Sequence, residues 1–374
     1  MQKIRTSLIF NIPLFGFLFK KLQNQFIMKE IKTDILSLSP NEIKEFLAKK
    51  GEKAFRAKQI YEWLWKKPVS SFEEMTNLSK DLRSLLSENF SIQAVKIEDL
   101  QISKDKTIKF AFKLIDGALI EGVLIPTEDR ATACISSQVG CNLGCEFCAT
   151  GKLGLIRNLT VGEIFFQIVE IMNMAQEKYN LPLTNIVLMG MGEPLLNYDN
   201  VLKAMEMVSS ENGLGMSPQR ITLSTVGLPR MIKKLADDQV KFNLAVSLHS
   251  ANEKKRSEFM PVNQRNSLAE LRDALVYFNE KTGQRVTFEY LLLDEINDSL
   301  KDAKELAEYC KSFPVKINII EYNSTSDKRF KRSSNDTFNE FVTFLKSRNM
   351  IVNVRRSRGM DIDAACGQLA GKKK

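Results

Sequence analysis

From about residue 132 the chain alternates short apolar segments with longer amphipathic ones. Six segments are predicted to be strands followed by helical stretches: ATACIS, NIVLMG, RITLSTV, KFNLAVSL, RVTFEYLLL and VKINII. Because strand–helix–strand units cross over with one hand, this order predicts a parallel sheet covered by helices. An open doubly wound sheet and a partial barrel both satisfy the pattern, and both place a functional site at the carboxyl ends of the strands.

Two other regions precede this pattern. Residues 28–100 are predicted to form a small helical domain, with a capped start at SPNEIKEFLAKK and a second amphipathic run, FRAKQIYEWLWKK. Residues 101–126 are predicted to form a β connection, since KFAFKLI and LIEGVLI flank an Asp-Gly turn signal. The alternating core then covers 127–350, and residues 351–374 are expected to form a C-terminal tail.

Composition excludes several classes of protein. The 374 residues include 54 Lys and Arg against 45 Asp and Glu, a net charge of +9 that suits a polyanionic partner without proving one. The single histidine, His249, excludes most histidine-based zinc sites and the Ser-His and Cys-His hydrolase centres. Six cysteines, three of them clustered, are typical of a reducing compartment, so we predict a cytoplasmic protein.

Residues 1–27 contain four basic residues, no acidic residue and the apolar run SLIFNIPLFGFLF. This run of 13 residues is too short to span a bilayer, and no small-residue cleavage site follows it. We interpret the segment as an extension from an upstream start, with Met28 the functional start, rather than as a membrane-surface anchor. The sequence leaves Met1 and Met28 both open, and we expect no membrane association.

Three cysteines lie within eight positions in GCNLGCEFCATG: Cys141, Cys145 and Cys148. Three thiolates can hold three corners of a cubane 4Fe-4S cluster and leave one iron without a protein ligand. A closed zinc site needs four ligands, and only Cys134 lies near enough to be the fourth. The cluster is favoured over zinc because glycines punctuate the segment, as a tight loop around a bulky inorganic core requires.

This spacing, with an aromatic residue before the last cysteine, resembles the signature of the radical S-adenosylmethionine (SAM) enzymes, in which SAM chelates the open iron. The segment MGMGEPLLN after the next strand resembles the glycine-rich motif that binds the amino group of SAM. Later strand ends carry small polar groups at the same rim. The resemblance implies SAM contacts from Gly192, Glu193, Ser224, Ser247, Leu248, His249 and Asn323.

Five segments make the resemblance more specific: RATACISSQVGCNLGCEFCATG, GMGEPLLN, SLHS, VTFEYLLLDEINDS and GMDIDAACGQL. Together they resemble the dual-specificity RNA methyltransferases that methylate carbon 2 of adenosine in 23S rRNA and in certain tRNAs. The match extends from about Met28 to Leu369 and departs at Glu321, where the family usually has proline. It implies a partial (β/α)6 barrel with a helical RNA-binding accessory domain, a monomer, and a flavodoxin-like electron donor.

The same resemblance assigns three further residues. Carbon 2 of adenine is electron-poor and has no lone pair, so radical chemistry is the available route. The resemblance implies that Cys366 takes a methyl group from one SAM, that a second SAM supplies the radical, that Glu121 accepts the proton of carbon 2, and that Cys134 resolves the enzyme–RNA link through a disulfide with Cys366. From the sequence alone, Glu121 is an outward strand residue, Cys366 lies in a movable tail outside the core, and Cys310 is a packing residue.

Candidate RNA contacts are the segments KKGEKAFRAKQIYEWLWKK and KRFKRSS and the three arginines Arg355, Arg356 and Arg358. Their basic groups can neutralise phosphates and their aromatic rings can stack on unpaired bases, although at least two of the rings are expected in a helix core. Two alternatives remain: methylation at carbon 8 of the same rRNA adenosine, and a non-catalytic zinc-stabilised RNA-binding protein. The tRNA substrate, the electron donor and the oligomeric state stay open at this point.

Overall fold

A computed structural model describes residues 32–325 and 329–371. The extension predicted for residues 1–27 lies outside the described residues. The helices are α1 (Pro40–Lys49), α2 (Arg56–Trp65), α3 (Lys80–Asn89), α4 (Val161–Tyr179), α5 (Tyr198–Ser209), α6 (Pro229–Asp237), α7 (Glu253–Phe259), α8 (Leu268–Thr282), α9 (Leu300–Tyr309) and α10 (Asn335–Ser347). The strands are β1 (Lys96–Ile102), β2 (Ile108–Lys113), β3 (Leu119–Pro126), β4 (Ala131–Cys134), β5 (Gln138–Cys141), β6 (Gly154–Asn158), β7 (Leu183–Leu188), β8 (Ile221–Thr225), β9 (Asn243–Ser247), β10 (Val286–Leu292), β11 (Val315–Glu321) and β12 (Ile351–Arg355).

One ten-stranded sheet organises the chain, in the order β12-β11-β10-β9-β8-β7-β4-β3-β2-β1. The seven strands from β12 to β4 are parallel, and β3, β2 and β1 continue the sheet antiparallel from β4. The two outer strands do not pair with each other, so the sheet stays open as a partial barrel. The predicted α/β fold with six parallel strands is confirmed. The structure adds a seventh parallel strand, β12, at the start of the segment predicted as the tail.

The N-terminal helices pack on the barrel through their aromatic face. Helix α1 begins at a capping box formed by Ser39 and Glu42, as its sequence predicts. On α2, the fully buried Trp65 packs edge-to-face on Phe165 of α4, with 4.8 Å between ring centroids. Tyr61 is half-buried beside α5. These two rings therefore belong to the interface between the helical domain and the barrel, whereas Phe55 is 54% exposed.

Asp34 joins the same two parts of the molecule. Its carboxylate accepts backbone N–H groups from Leu36 at 3.2 Å, Gln93 at 3.4 Å and Gly162, in the first turn of α4, at 3.2 Å. Burial raises the pKa of Asp34 to about 6, against the lowering effect of these N–H donors. Gly162 permits the contact, because an added Cβ would lie 2.5 Å from the Asp34 carboxylate oxygen.

None of the helices within the described ranges combines the length and the hydropathy that a membrane crossing requires.

Candidate active site

A cavity of about 1090 Å³, including its open mouth, lies at the carboxyl ends of the parallel strands. This is the edge at which the strand order predicted a site. Residues at the ends of β7, β8, β9, β10 and β11 all contribute to its wall. The predicted site residues that line it are Cys141, Cys145, Cys148, Gly192, Glu193, Ser224, Ser247, His249 and Cys366.

The three clustered cysteines lie at the end of β5 and on the loop that connects β5 to β6. Gly140 has a φ of +76°, and an added Cβ would lie 1.9 Å from the carbonyl oxygen of Gly154, so only glycine fits there. Gly151 also lies too close to its neighbours for a side chain, since an added Cβ would lie 2.8 Å from the carbonyl oxygen of Cys145. The glycines predicted to let the loop fold tightly are therefore required by its backbone.

The donor set suits an iron-sulfur cluster. Burial raises the pKa of Cys141 to about 11 and raises that of Cys145 further, so both thiolates need a bound cation to stay deprotonated. Within residues 32–325 and 329–371, no three His, Cys, Asp or Glu side chains converge on one point as the ligands of a single metal ion do. A cubane places each thiolate on a different iron, so it requires no such convergence.

The segment after β7 packs against the start of the cysteine loop. An added Cβ on Gly190 would lie 2.6 Å from the carbonyl oxygen of Ile135, and one on Gly192, at φ +99°, would lie 2.5 Å from Gln138. Glu193 is buried and accepts backbone N–H groups from Leu195 at 3.1 Å and Val226 at 2.9 Å. Burial raises the pKa of Glu193 to about 7. This carboxyl group therefore lies at the cavity wall, held by backbone N–H groups of the segments that follow β7 and β8.

His249 is buried in the cavity wall with a φ of +56°. Burial, and to a smaller degree the charge of Arg256, lowers the pKa of His249 to about 3, so the ring is neutral. Its Nδ1 accepts the N–H of Leu291 at 3.0 Å, which leaves Nε2 as the protonated nitrogen. The ring also contacts Phe147 edge-to-face, with 4.9 Å between centroids. The histidine thus offers the cavity a hydrogen-bond donor.

Arg256 fixes the strand ends that form this wall. The fully buried guanidinium donates to the carbonyl oxygens of Val226 at 2.6 Å, Ser247 at 3.3 Å and Leu248 at 3.0 Å, and to Asn263 Oδ1 at 2.6 Å. Burial lowers the pKa of Arg256 to about 10, so it remains charged at neutral pH. Sequence analysis did not single out this residue, because an arginine on a short helix carries no recognisable pattern.

Replacing Arg256 by methionine is expected to lower the free energy of unfolding by about 3 kcal/mol, because several buried carbonyl oxygens lose their donor. Urea unfolding measured under anaerobic conditions checks this. The matched control is Arg272→Met on the exposed face of α8, which should change the free energy by less than about 0.5 kcal/mol. Equal unfolding midpoints for the two variants would contradict the structural role assigned to Arg256.

Two residues with predicted SAM contacts lie behind the cavity wall. Leu248 is fully buried between lining residues. Asn323 is 2% exposed, and neither its Nδ2 nor its Oδ1 has a hydrogen-bond partner among the residues that the structure describes. A buried amide without partners is costly, so a polar ligand group at this position is the natural way to satisfy it. Its neighbour Tyr322 lines the cavity.

The C-terminal segment forms the remaining wall and is packed rather than loose. Ala364, Ala365 and Leu369 are buried, which corrects the expectation that this small-residue run lies outside the core. The carbonyl oxygen of Gly367 accepts the N–H of Ala149 at 2.7 Å, and that of Leu369 accepts the Thr150 hydroxyl at 2.6 Å. Small residues are needed here because the segment lies directly against the cysteine loop. The movable tail inferred from sequence is therefore hydrogen-bonded in place.

Cys366 and Cys134 are neighbours at this wall. Cys366 is exposed to the cavity while protein surrounds it, and burial raises the pKa of its thiol to about 11. Burial, and next the charge of Cys366, raises the pKa of Cys134, while the charge of Arg355 lowers the pKa of both thiols. Cys310, the predicted packing residue, is buried at the end of α9 and lies outside the cavity lining.

Glu121 is buried at the junction of β3 with the C-terminal segment. It is 1% exposed, which corrects the expectation of an outward strand residue. Its Oε1 forms an ion pair with Lys109 Nζ at 3.0 Å, and its Oε2 accepts the N–H of Ala370 at 2.7 Å. The carboxylate therefore contacts Ala370, the residue that follows the cavity-lining Leu369.

Sequence analysis also missed Glu289, a buried carboxyl group in the cavity wall. It accepts from Asn318 Nδ2 at 2.7 Å, and Asn318 Oδ1 accepts from Asn353 Nδ2 at 3.1 Å. The three residues are register partners on β10, β11 and β12, so the polar chain follows directly from the parallel pairing. The alternation in RVTFEYLLL, which places Glu289 on one face with Thr287 and Leu291, could have indicated it.

Three of the basic residues predicted to contact RNA form ion pairs next to the cavity wall. Arg332 and Arg356 both contact Glu321 Oε1 at 2.6 Å, and Arg329 contacts Glu146 of the cysteine loop at 2.9 Å. Glu321, the departure noted in the sequence, is thus a buried anion that holds two exposed arginines. Because one carboxylate is shared by two guanidinium groups, Glu321, Arg332 and Arg356 together carry a net positive charge.

Comparison with known proteins adds two family matches. The model described as Ribosomal RNA large subunit methyltransferase N-terminal domain matches residues 33–92, and the model of the Radical SAM superfamily matches residues 135–310. The first covers the small helical domain, and the second begins directly after Cys134.

Relatives match over most of the chain. A protein of Cytophaga hutchinsonii named a probable dual-specificity RNA methyltransferase RlmN is 57% identical over 341 residues, 91% of this chain and 93% of that protein. A protein of the same name from Flavobacterium johnsoniae is 52% identical over 91% of this chain and 98% of its own length. The crystal structure of a radical SAM methyltransferase from Sphaerobacter thermophilus superposes with a TM-score of 0.86 at 40% identity, covering 91% of this chain and all of that one.

Proposed function

This chain belongs to the RlmN family of radical SAM RNA methyltransferases, and from that membership we propose that it methylates carbon 2 of an adenosine in 23S rRNA and of an adenosine in tRNA. The observation that carries the proposal is the pair of thiols, Cys134 and Cys366, which lie close enough to influence each other, with Cys366 in the wall of the cavity that the cysteine triplet lines. Simple methyl transfer to a nucleophilic atom needs neither thiol. A mechanism with a covalent enzyme–RNA intermediate needs one thiol to carry the methyl group and one to release the product.

The family uses a 4Fe-4S cluster and SAM, and Cys141, Cys145 and Cys148 would hold the cluster here. Glu193, Ser224, Ser247 and His249 would contact SAM, with Gly192 contributing its backbone to the site and Leu248 packing behind. The unpartnered amide of Asn323 would contribute a further polar contact. When bound, the two cofactors supply a methyl group and a carbon radical that removes a hydrogen atom.

Cys366 would hold the methyl group as S-methylcysteine, in the cavity wall that the target base must reach. Once the methyl carbon has joined carbon 2, the ring radical must lose one electron, for which the cluster, having given up one electron earlier, would be the acceptor. Glu121 would then accept the proton of carbon 2, and the electron pair of that C–H bond stays in the ring. Cys134 Sγ would attack Cys366 Sγ: the S–S bond forms, the bond from Cys366 Sγ to the methylene carbon breaks, and its electron pair leaves with the carbon. That carbon takes a proton and becomes the methyl group of the product.

The exposed arginines next to the cavity wall and the N-terminal helical domain would bind the RNA backbone. In the proposal the protein acts in the cytoplasm as a monomer with a flavodoxin-like electron donor. A reducing compartment also suits the disulfide of Cys134 and Cys366, which must be reduced after each turnover.

Nucleoside analysis tests the proposal. 23S rRNA and tRNA from cells with and without the gene are digested to nucleosides and separated by chromatography with mass detection. We expect 2-methyladenosine in both RNAs only when the gene is present. Gene-dependent 8-methyladenosine in its place would assign the carbon 8 reaction instead, and unchanged tRNA would restrict the substrate to rRNA. A colourless, zinc-containing protein after anaerobic purification would contradict the enzyme as a whole.

A further inference from the structure

Lys109 is a buried cation with no role in the reaction described above. It lies on β2 and is 6% exposed. Its Nζ contacts Glu121 Oε1 at 3.0 Å and donates to the carbonyl oxygen of Asp363 at 3.2 Å. Burying an ammonium group is costly unless an anion and further acceptors compensate it, and here both contacts lead to the proposed reaction site.

The register of the sheet explains why Lys109 reaches Glu121. Glu121 pairs directly with Ala111 across β2 and β3, so Lys109 and Lys113, two positions to either side, are its diagonal neighbours. Lys113 instead contacts Glu98 at 3.5 Å and leaves 47% of its side chain exposed. Of these two lysines, only Lys109 therefore forms an ion pair with Glu121.

Lys109 and Glu121 form hydrogen bonds to the C-terminal segment on either side of Cys366. Lys109 binds the carbonyl oxygen of Asp363, three residues before Cys366, and Glu121 binds the N–H of Ala370, four residues after it. One ion pair between two adjacent strands thus fixes the ends of the loop that holds the thiol. The hydrogen bonds that Gly367 and Leu369 accept from the cysteine loop hold Cys366 itself independently of this ion pair, so the orientation of the proposed proton acceptor is what depends on it.

We propose that Lys109 is a positioning residue of the methylation reaction, which holds the Glu121 carboxylate in the orientation that accepts the proton of carbon 2. This inference rests on the proposed role of Glu121. The ammonium group occupies Oε1 and leaves Oε2 as the oxygen that faces the Cys366 segment, where a proton can reach it once the N–H of Ala370 gives way. Without Lys109 the carboxylate can rotate about its side-chain bonds and lose this alignment. The earlier methylation of Cys366 does not involve Glu121 and should therefore continue.

The test compares Lys109→Met with Glu121→Gln in the complete holoenzyme, using anaerobic reactions with SAM and a target RNA hairpin. Tail-peptide mass spectrometry measures methylation of Cys366, and denaturing gels measure the covalent enzyme–RNA adduct. We expect Lys109→Met to keep Cys366 methylation and to accumulate the adduct about tenfold or more over wild type, as Glu121→Gln should. The double variant should accumulate no more than Glu121→Gln, because the two side chains act through one carboxylate.

Two variants complete the test. Lys109→Arg restores the charge and should release product faster than Lys109→Met, whereas Lys113→Met, the matched diagonal lysine, should behave as wild type. If Lys109→Met releases product like wild type while Glu121→Gln accumulates adduct, the inference is wrong and the proposed function stands. If Glu121→Gln itself releases product normally, the proposed base is wrong. If Lys109→Met loses Cys366 methylation and Lys109→Arg does not restore it, the inference is also wrong, because Lys109 then only supports the packing of the segment that carries Cys366. Lys109→Gln takes its place if the methionine variant does not fold.

Discussion

Replacing Cys366 by alanine is expected to abolish RNA methylation, with turnover falling by about four orders of magnitude or more. The reason is that Cys366 is the thiol that opens onto the cavity wall while remaining outside the clustered triplet. Cys134 is buried beside it and does not line the cavity, so it cannot take over the methyl group. Alanine fits the space, since the neighbouring positions 364 and 365 are alanines already.

Two measurements check this result. Radiolabelled methyl incorporation into RNA gives the turnover, and the mass of the tail peptide shows whether residue 366 carries a methyl group. Cys310→Ala is the control, because that thiol is buried away from the cavity and should leave methylation unchanged. A Cys366→Ala enzyme that still methylates RNA would contradict the carrier role, as would a wild-type tail peptide that never carries the methyl mass.

Replacing Cys134 by alanine is expected to have an effect of similar size at a different step. The variant should still methylate Cys366 and form the covalent enzyme–RNA adduct, because neither step uses Cys134. It should fail to release the product, since Cys148, the other thiol near Cys366, would be held by the cluster. Nearly every enzyme molecule should therefore finish one partial turnover and remain attached to RNA.

Denaturing gels of end-labelled RNA under reducing conditions measure the trapped fraction. The Cys134→Ala/Cys366→Ala double variant is the informative control, because without the carrier thiol no adduct can form and the shifted band should disappear. Free 2-methyladenosine at the wild-type rate from Cys134→Ala would show that the resolving thiol lies elsewhere. The same RNA and the same SAM preparation serve both variants, so the two outcomes are directly comparable.

The six predicted strands of the barrel could be recognised because none of their residues is exposed, so that each appears as a mainly apolar run. The cysteine loop could be predicted because its pattern is local. Three thiols that can hold one cluster, and the glycines that let the loop fold tightly, lie within a few positions of each other. The helix caps were also predictable, as Ser39 and Glu42 show, since a capping box involves only neighbouring residues. In each case the residues that determine the structure are close in sequence.

Contacts between distant segments could not be predicted. The burial of Glu121 depends on Ala370, which is 249 positions away along the chain, and nothing near Glu121 in the sequence indicates it. Arg256 serves carbonyl groups at the ends of two strands that precede it, and its role appears only when these strands lie side by side. The C-terminal segment was expected to be loose because it lacks helical periodicity. Its small residues instead pack closely against the cysteine loop.

The position of the proposed catalytic residues relative to the superfamily match has a consequence for engineering the barrel. The superfamily match ends at residue 310 and begins at residue 135, so it contains the cysteine triplet and most of the proposed SAM contacts. Glu121 and Cys134 precede it, and Cys366 follows it. Transplanting residues 135–310 into another scaffold would carry over the machinery that starts radical reactions without the machinery that directs them to RNA methylation. In the proposed mechanism, the residues that generate the radical therefore lie within the superfamily match, and the residues that direct the chemistry to RNA lie in the sequences that flank it.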